Sequence, residues 1–372
     1  MRVGVPSEIK VQEHRVGLVP SSVRELVARG HEVTVQSGAA DAIGMPDGDY
    51  RAAGAAIVES AADVFKSADL IVKIKEPQPS EGPLLRNGQT LFTYLHLAPD
   101  LAQTRMLMES GVTAIAYETV TDAHGGLPLL APMSEVAGRM SIHVAAHYLE
   151  MTGGGRGILM GGVAGVEPAK VVILGGGVVG SNAARMAVGL HADVTVINRT
   201  RGKLAELDQE FRGRVHTLFA TTEAIDRSVT GADVVVGAAL VAGATAPKLV
   251  TADMVKRMRK GSVMIDVSID QGGCFETSRP TTHDQPTYEV DGVIHYAVTN
   301  MPGGVARTSA LAINNATLPY VLALADQGPA QALAADPHLK NGLNVYRGQI
   351  TCKAVADALD LNYVAAEQLL DG

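Results

Sequence analysis

Short β-branched and aliphatic runs recur along the chain, separated by stretches in which apolar positions return every three or four residues. The runs at 3–5, 31–35, 56–58, 70–74, 90–95 and 112–116 are too short for helices and are bounded by Gly, Pro or polar clusters, so they predict strands. Between them, 21–29 predicts a helix with Ser21 or Ser22 as N-cap and Gly30 at its end, and 101–109 predicts another. Pro128 to Pro132 breaks the rhythm. Residues 134–151 then read as one long helix capped by Ser134, and the glycine-rich stretch 152–168 as a loop or lid. A second series of strands is predicted at 170–174, 193–197, 215–218, 234–237, 263–267 and 293–297, with helices between them, including one over 182–190. A long helix at 306–327 leads into shorter helical material. Wholly apolar strands alternating with helices belong to parallel sheets covered on both faces. The expected fold is α/β, two doubly wound Rossmann-like domains with an interdomain cleft, linked by two long helices.

A chain of 372 residues is too long for one ordinary core, which agrees with two domains. Hydrophobic content of 47% and charged content of 19% describe a globular protein. The net charge of −8 argues against nucleic-acid and anionic-membrane partners, so an anionic small substrate would need local cations. Cys274 and Cys352 form no spacing motif, which fits a reducing compartment. MRVGVPSEIK lacks the apolar core of a signal peptide, and the run at 234–243 is too short and glycine-laden to span a bilayer. A soluble, cytoplasmic protein is expected.

The most informative stretch is KVVILGGGVVGSNAARMAVGLHADVTVINRT, beginning at Lys170. Gly175, Gly177 and Gly180 follow a predicted strand and open a helix at G-x-G-x-x-G spacing. Gly175 permits the tight turn, Gly177 lets the backbone approach a pyrophosphate, and Gly180 lets helix and strand pack closely. Unpaired N–H groups at the helix start would face the phosphates. This reads as a dinucleotide site, toward which 152–168 would pass as the lid. It makes 131–306 the nucleotide domain and 1–130 plus 307–372 a discontinuous substrate domain. The second strand of such a unit usually ends in an acid that holds the ribose diol. Asn198 stands there, followed by Arg199, Arg201 and Lys203. Asn and cations suit a 2′-phosphate, and so NADP. Equally, Asn198 could bond the hydroxyls of NAD, with the basic residues forming a solvated helix start.

Four stretches place polar groups where a ligand could meet them. Arg15, after the first strand, could fork onto a carboxylate. VKIKEP ends a strand with Lys73 and Lys75 on one face, FTYLHLAPD ends one with His96, and MIDVSIDQGG ends one with Asp266 and Asp270. Taken singly, Arg15 could be a surface ion pair, His96 an interior histidine and Asp270 a turn residue. Together they form a carboxylate clamp and an acid/base pair beside a hydride carrier, which suits a 2-oxo or 2-amino acid. His143 and His147 stand four apart but lack a third ligand, so a helix face is favoured over a metal. No G-x-S-x-G elbow or C-x-x-C pair points to hydrolase or zinc chemistry.

Those residues lie in blocks (EHRVGLVP, VKIKEP, LFTYLHLAPD, AIAYETV, LPLLAPMSEVAGRMS, DVSIDQGGCFETSRPTT and VTNMPGGV) that resemble the alanine dehydrogenase family over nearly the whole length. The resemblance implies reversible, NAD(P)-dependent oxidative deamination of L-alanine to pyruvate and ammonium. It implies that Arg15 and Lys75 bind substrate and that His96 and Asp270 handle protons. It places Ser134, Val178, Asn198, Lys203, Ala239 and Leu240 along the cofactor. Val267, Ser268, Ile269, Asp270, Arg279, Val298, Thr299, Asn300 and Met301 join them. It also implies a homo-oligomer, usually a hexamer. Two departures stand out. Asn198 replaces the family's ribose-binding acid, and the magnesium ligands of some members would fall at Ala323 and Gln327, so no metal is expected. The nucleotide-binding component of a proton-translocating transhydrogenase is the alternative. That component lacks the histidine of YLHLAP and the aspartate of VSIDQGG, and both are present here.

Overall fold

The computed structural model describes residues 1–239 and 246–370. They divide into two compact units, Met1–Met133 with Val305–Gly372, and Ser134–Gly304. The first unit opens with β1 (Arg2–Val5), β2 (Glu32–Gln36), β3 (Ala56–Val58), β4 (Leu70–Val72), β5 (Thr90–Thr93) and β6 (Thr113–Ala116). All six run parallel, in the order β6-β5-β4-β1-β2-β3. The central strands β4, β5 and β6 are buried at every position, as parallel strands covered on both faces must be. On one face Val64, Phe65, Leu107 and Val355 pack against Ile71, Leu91 and Ala114.

Two local predictions change here. The first helix is Pro20–Ala28, with Pro20 in its first turn and no side-chain cap; the Ser22 hydroxyl instead donates to Asn314 Oδ1 at 3.0 Å. Proline preorganises a first turn without needing an N–H, so the serines are released from capping. The strands β4 and β5 end at Val72 and Thr93, two residues short of the apolar runs, so Lys73 to Lys75 and Tyr94 to His96 form connections beyond the sheet.

The second unit holds β7 (Lys170–Leu174), β8 (Asp193–Asn198), β9 (His216–Phe219), β10 (Val234–Gly237), β11 (Val263–Asp266), β12 (Thr287–Val290) and β13 (Val293–Tyr296). Their order is β12-β13-β11-β10-β7-β8-β9, parallel except for the edge strand β12. Chain direction across the sheet reverses between β7 and β10, the switch point at which doubly wound sheets bind ligands. The long helix spans Ala131–Leu149, so Ser134 lies inside its first turn and does not cap it. The stretch 152–168 is no lid over the glycine turn. Its Arg156 donates to Asp233 at 3.1 Å, and Ala169 N–H donates to Met160 O at 2.9 Å. Asp233 also accepts the Lys170 N–H at 2.9 Å, which places the stretch at the amino ends of β7 and β10. A buried carboxylate at a strand start draws the guanidinium there.

The chain returns to the first unit through helix Ala306–Gln327. Where only helical material is expected, β14 (Leu343–Tyr346) adds antiparallel to β6, and β15 (Gln349–Ile350) adds antiparallel to β14. Arg347 and Gly348, at φ 49° and 75°, make the tight turn between them.

Candidate active site

The glycine turn follows β7. Gly175 has φ 110°, and a Cβ there would lie 2.5 Å from Ala238 O. Gly177 precedes helix Val178–Gly189, and beyond its own chain neighbours no atom of the described residues lies within 4 Å of where its Cβ would be, so this side is open to a ligand among them. At Gly180 a Cβ would fall 1.8 Å from Gly175 O, so strand and helix meet with no room for a side chain. The turn therefore fits a bound pyrophosphate, with the first N–H groups of a three-turn helix facing it. Gly180→Ala must force helix and strand apart, at a cost of about 1–3 kcal/mol. We expect it to weaken dinucleotide affinity by about tenfold or more, as read by nicotinamide fluorescence on binding. Unchanged affinity would show that this turn does not carry the pyrophosphate.

Asn198 ends β8. Its Oδ1 accepts the Gly176 N–H at 3.1 Å and its Nδ2 donates to Thr200 O at 3.3 Å, so the side chain is tied to the glycine turn. Arg199 is exposed, and Lys203 forms an ion pair with Glu206 at 2.7 Å. The other cofactor candidates of this unit cluster at the carboxyl ends of β10, β11 and β13. Val267 N–H donates to Gly237 O at 3.0 Å and Ser268 Oγ to Ala239 O at 2.8 Å. Leu240 lies outside the described residues. Val298 and Met301 are buried, and Thr299 N–H donates to Thr281 O at 3.1 Å. Arg279 stacks on the Tyr288 ring at 4.1 Å.

The two aspartates of the β11 end separate. Asp266 is 1% exposed and accepts from the N–H groups of Ser268, Cys274 and Phe275 and from the Ser278 hydroxyl, so it builds the loop. Asp270 and Ile269 sit on the short helical turn Ile269–Gln271 that follows. Asp270 is exposed, with its Oδ2 3.4 Å from the N–H of Asn300, a residue held at φ 58°. That aspartate is chemically available; Asp266 is not.

In the first unit, Arg15 is 2% exposed and its fork already grips a carboxylate, that of Glu13, at 2.7 Å from Nε and 2.5 Å from Nη2. Burial works against Glu13 ionising, but the hydrogen bonds and charge of Arg15 outweigh it and hold the acid at about 2. Nη1 lies 3.0 Å from Met133 Sδ. Burial, with the charges of Arg15 and Lys10, lowers Lys75 below the usual lysine range. The pairing of Lys73 with Lys75 on one strand face does not hold. Lys73 is fully buried, 2.8 Å from Glu81 and 3.2 Å from Glu8, and Glu8 Oε1 accepts the Ile74 N–H at 2.6 Å.

His96 stands at φ 51° and half exposed beyond β5, with its ring parallel to that of Tyr94 at 5.8 Å between centroids. Glu118, beyond β6, accepts its N–H at 2.6 Å. Glu8 and Glu118 escaped the sequence reading because each acts on backbone brought to it by sheet order, whereas Glu13 and Glu81 act on neighbours within their own connections. His143 and His147 belong to helix Ala131–Leu149, and among the described residues no group of three His, Cys, Asp or Glu is gathered as a metal site would require.

Family models for the alanine dehydrogenase/PNT N-terminal and C-terminal domains match residues 4–137 and 141–353. The chain is 56% identical over 370 residues to an alanine dehydrogenase of Halomonas elongata, covering 100% of both. It is 50% identical over 370 residues to that of Mycobacterium tuberculosis, again covering 100% of each. A solved structure titled L-alanine dehydrogenase matches with TM-score 0.94 and 52% identity, over 97% of this chain and 99% of that one. A transhydrogenase from Sinorhizobium meliloti has TM-score 0.83 over 94% of this chain and 100% of its own, but 23% identity, a likeness of fold alone.

Proposed function

Given that the chain belongs to the alanine dehydrogenase family, we propose that it interconverts L-alanine with pyruvate and ammonium by reversible oxidative deamination, using NAD. It is an oxidoreductase acting on the CH–NH2 group of an amino acid. The observation that carries this reading is identity of 56% over the full length to a curated alanine dehydrogenase. The transhydrogenase alternative is supported by fold only. Incubating the protein with L-alanine and NAD should produce the absorbance of reduced nicotinamide. No signal with alanine, together with hydride transfer from NADPH to the acetylpyridine analogue of NAD, followed at the displaced band of the reduced analogue, would favour the alternative.

The chemistry supplied by the bound nucleotide is hydride acceptance. The chain does the rest. Lys75 and Arg15 hold the substrate carboxylate and carbonyl oxygen, a fixed placement that lowers the barrier by removing orientational freedom. Lys75, already below the usual lysine range, gives up its proton more readily than a solvated ammonium. His96 takes and returns the proton of the developing carbonyl oxygen, since an imidazole can both accept and donate a proton through its ring nitrogens. Asp270 receives protons from the substrate amino group and activates water for hydrolysis of the substrate imine.

Membership of the alanine dehydrogenase family supports use of NAD, and the Lys203–Glu206 ion pair takes one nearby cation away from a 2′-phosphate. Arg199 leaves NADP open. Asn198→Asp should therefore raise the ratio of kcat/KM for NAD over NADP by about tenfold or more, through repulsion of a 2′-phosphate. An unchanged ratio would mean that Asn198 does not face the ribose. Assembly as a homo-oligomer, a hexamer by family resemblance, and a cytoplasmic setting belong to the same proposal. Among the described residues no helix is long and apolar enough to cross a membrane.

A further inference from the structure

His96 occupies the left-handed backbone region, which costs a residue with a Cβ about 1–2 kcal/mol. Such a conformation persists only where the surroundings enforce it. The Gln103 amide holds the preceding carbonyl, donating to Leu95 O at 2.9 Å, and a carboxylate holds the N–H groups. Glu118, on the turn Tyr117–Thr119 after β6, accepts the His96 N–H through Oε1 at 2.6 Å. Both its oxygens accept the Leu95 N–H at 3.2 Å, and Oε1 lies 3.9 Å from His96 Nδ1. The Glu118 side chain is 15% exposed, whereas that of His96 is 50% exposed. On its other side the imidazole lies parallel, within 3°, to Tyr94, whose hydroxyl donates to Leu129 O at 2.5 Å. A strained turn, a carboxylate gripping two consecutive N–H groups and an anchored phenol all bear on the backbone and ring of His96.

From this juxtaposition we infer that Glu118 is the positioning residue for His96. The carboxylate fixes the backbone that aims the ring, with its Oε1 3.9 Å from Nδ1. The adjacency of β5 and β6 brings the two together across 22 residues of chain. The inference rests on the proton-handling role proposed for His96.

The test is a double-mutant comparison. kcat, KM for L-alanine, nucleotide affinity and thermal midpoint are measured for Glu118→Gln, Glu118→Ala, His96→Ala and the two double variants. Glu118→Ala should lower kcat by about 10²-fold, the loss typical of misplacing a catalytic group by an ångström. Glu118→Gln, whose amide oxygen still accepts backbone N–H groups, should lose about tenfold. With His96→Ala already present, neither change should lower kcat further, because no ring remains to aim. A merely structural glutamate would lower the midpoint yet lower kcat by the same factor with or without the imidazole, and that result overturns the inference. So does wild-type kcat in both Glu118 variants. Should Glu118→Ala not fold, Glu118→Gln carries the same comparison. Wild-type kcat in His96→Ala would instead sink the role of His96 itself, and the inference with it.

Discussion

His96→Ala is expected to lower kcat for L-alanine oxidation by about 10²–10⁴-fold, the usual contribution of a positioned acid/base group. Dinucleotide affinity should be nearly unchanged, because the glycine turn and Asn198 belong to the other compact unit. KM for alanine should move little as well, since Lys75 and Arg15 are untouched. The pattern matters more than the size: loss in kcat alone marks a group that acts during reaction. Asp270→Asn should behave alike, because the amide keeps the shape of the carboxylate but cannot take a proton. In the double variant the losses should fall well short of multiplying, as expected for two groups serving one proton path. Equal losses of turnover and of nucleotide affinity in His96→Ala would place the histidine in binding and remove it from the chemistry.

Much of this arrangement was legible because parallel strands announce themselves. The runs that became β7 and β10 are apolar at every position but the first lysine and the closing glycine, and the strand ends follow. Lys75, His96 and Asp270 are singled out for the same reason: open α/β sheets put ligands beyond the carboxyl ends of strands. The misses have physical causes. The β14–β15 hairpin turns on Arg347-Gly348, and an arginine at φ 49° gives no turn signal of the Asn-Gly kind. The edge strand β12 is half polar, because only one side of it needs a neighbour. Helix Val178–Gly189 starts four residues before its apolar periodicity does, since its first turn is spent on the glycine fingerprint. Asp266 and Asp270 look alike in sequence, and only closure of the loop over Asp266 separates them. Ring-aiming by Glu118 depends on β5 lying beside β6, which strand order alone reveals.

Lys73→Met should be the most damaging substitution outside the reacting groups. The Lys73 side chain is wholly buried, between Glu8 and Glu81, which are 2% and 3% exposed. Burial disfavours the ammonium, yet the two carboxylates overcome this and hold Lys73 above the usual lysine range. Burial likewise pushes Glu8 up, against the pull of Lys73, as expected where two acids share one cation. Methionine fills a similar volume but leaves both acids unpaired in the interior. Breaking a buried pair from one side costs about 3–5 kcal/mol. In a unit of this size that lowers the thermal midpoint by about 6–20 °C. The loss should also reach the substrate. Glu8 accepts the Ile74 N–H at 2.6 Å and sets the backbone from which Lys75 projects, and Glu81 accepts the Gln78 N–H at 2.8 Å on the far side of the same turn. KM for alanine should rise in the folded variant while nucleotide affinity holds. Adding Glu8→Gln and Glu81→Gln to Lys73→Met removes the stranded charges and should recover most of the midpoint. It should not restore KM, because an amide at Glu8 is a weaker acceptor for the turn. If Lys73→Met unfolds at the wild-type midpoint, the three groups do not form one charge-balanced support, and Lys75 must owe its placement to something else.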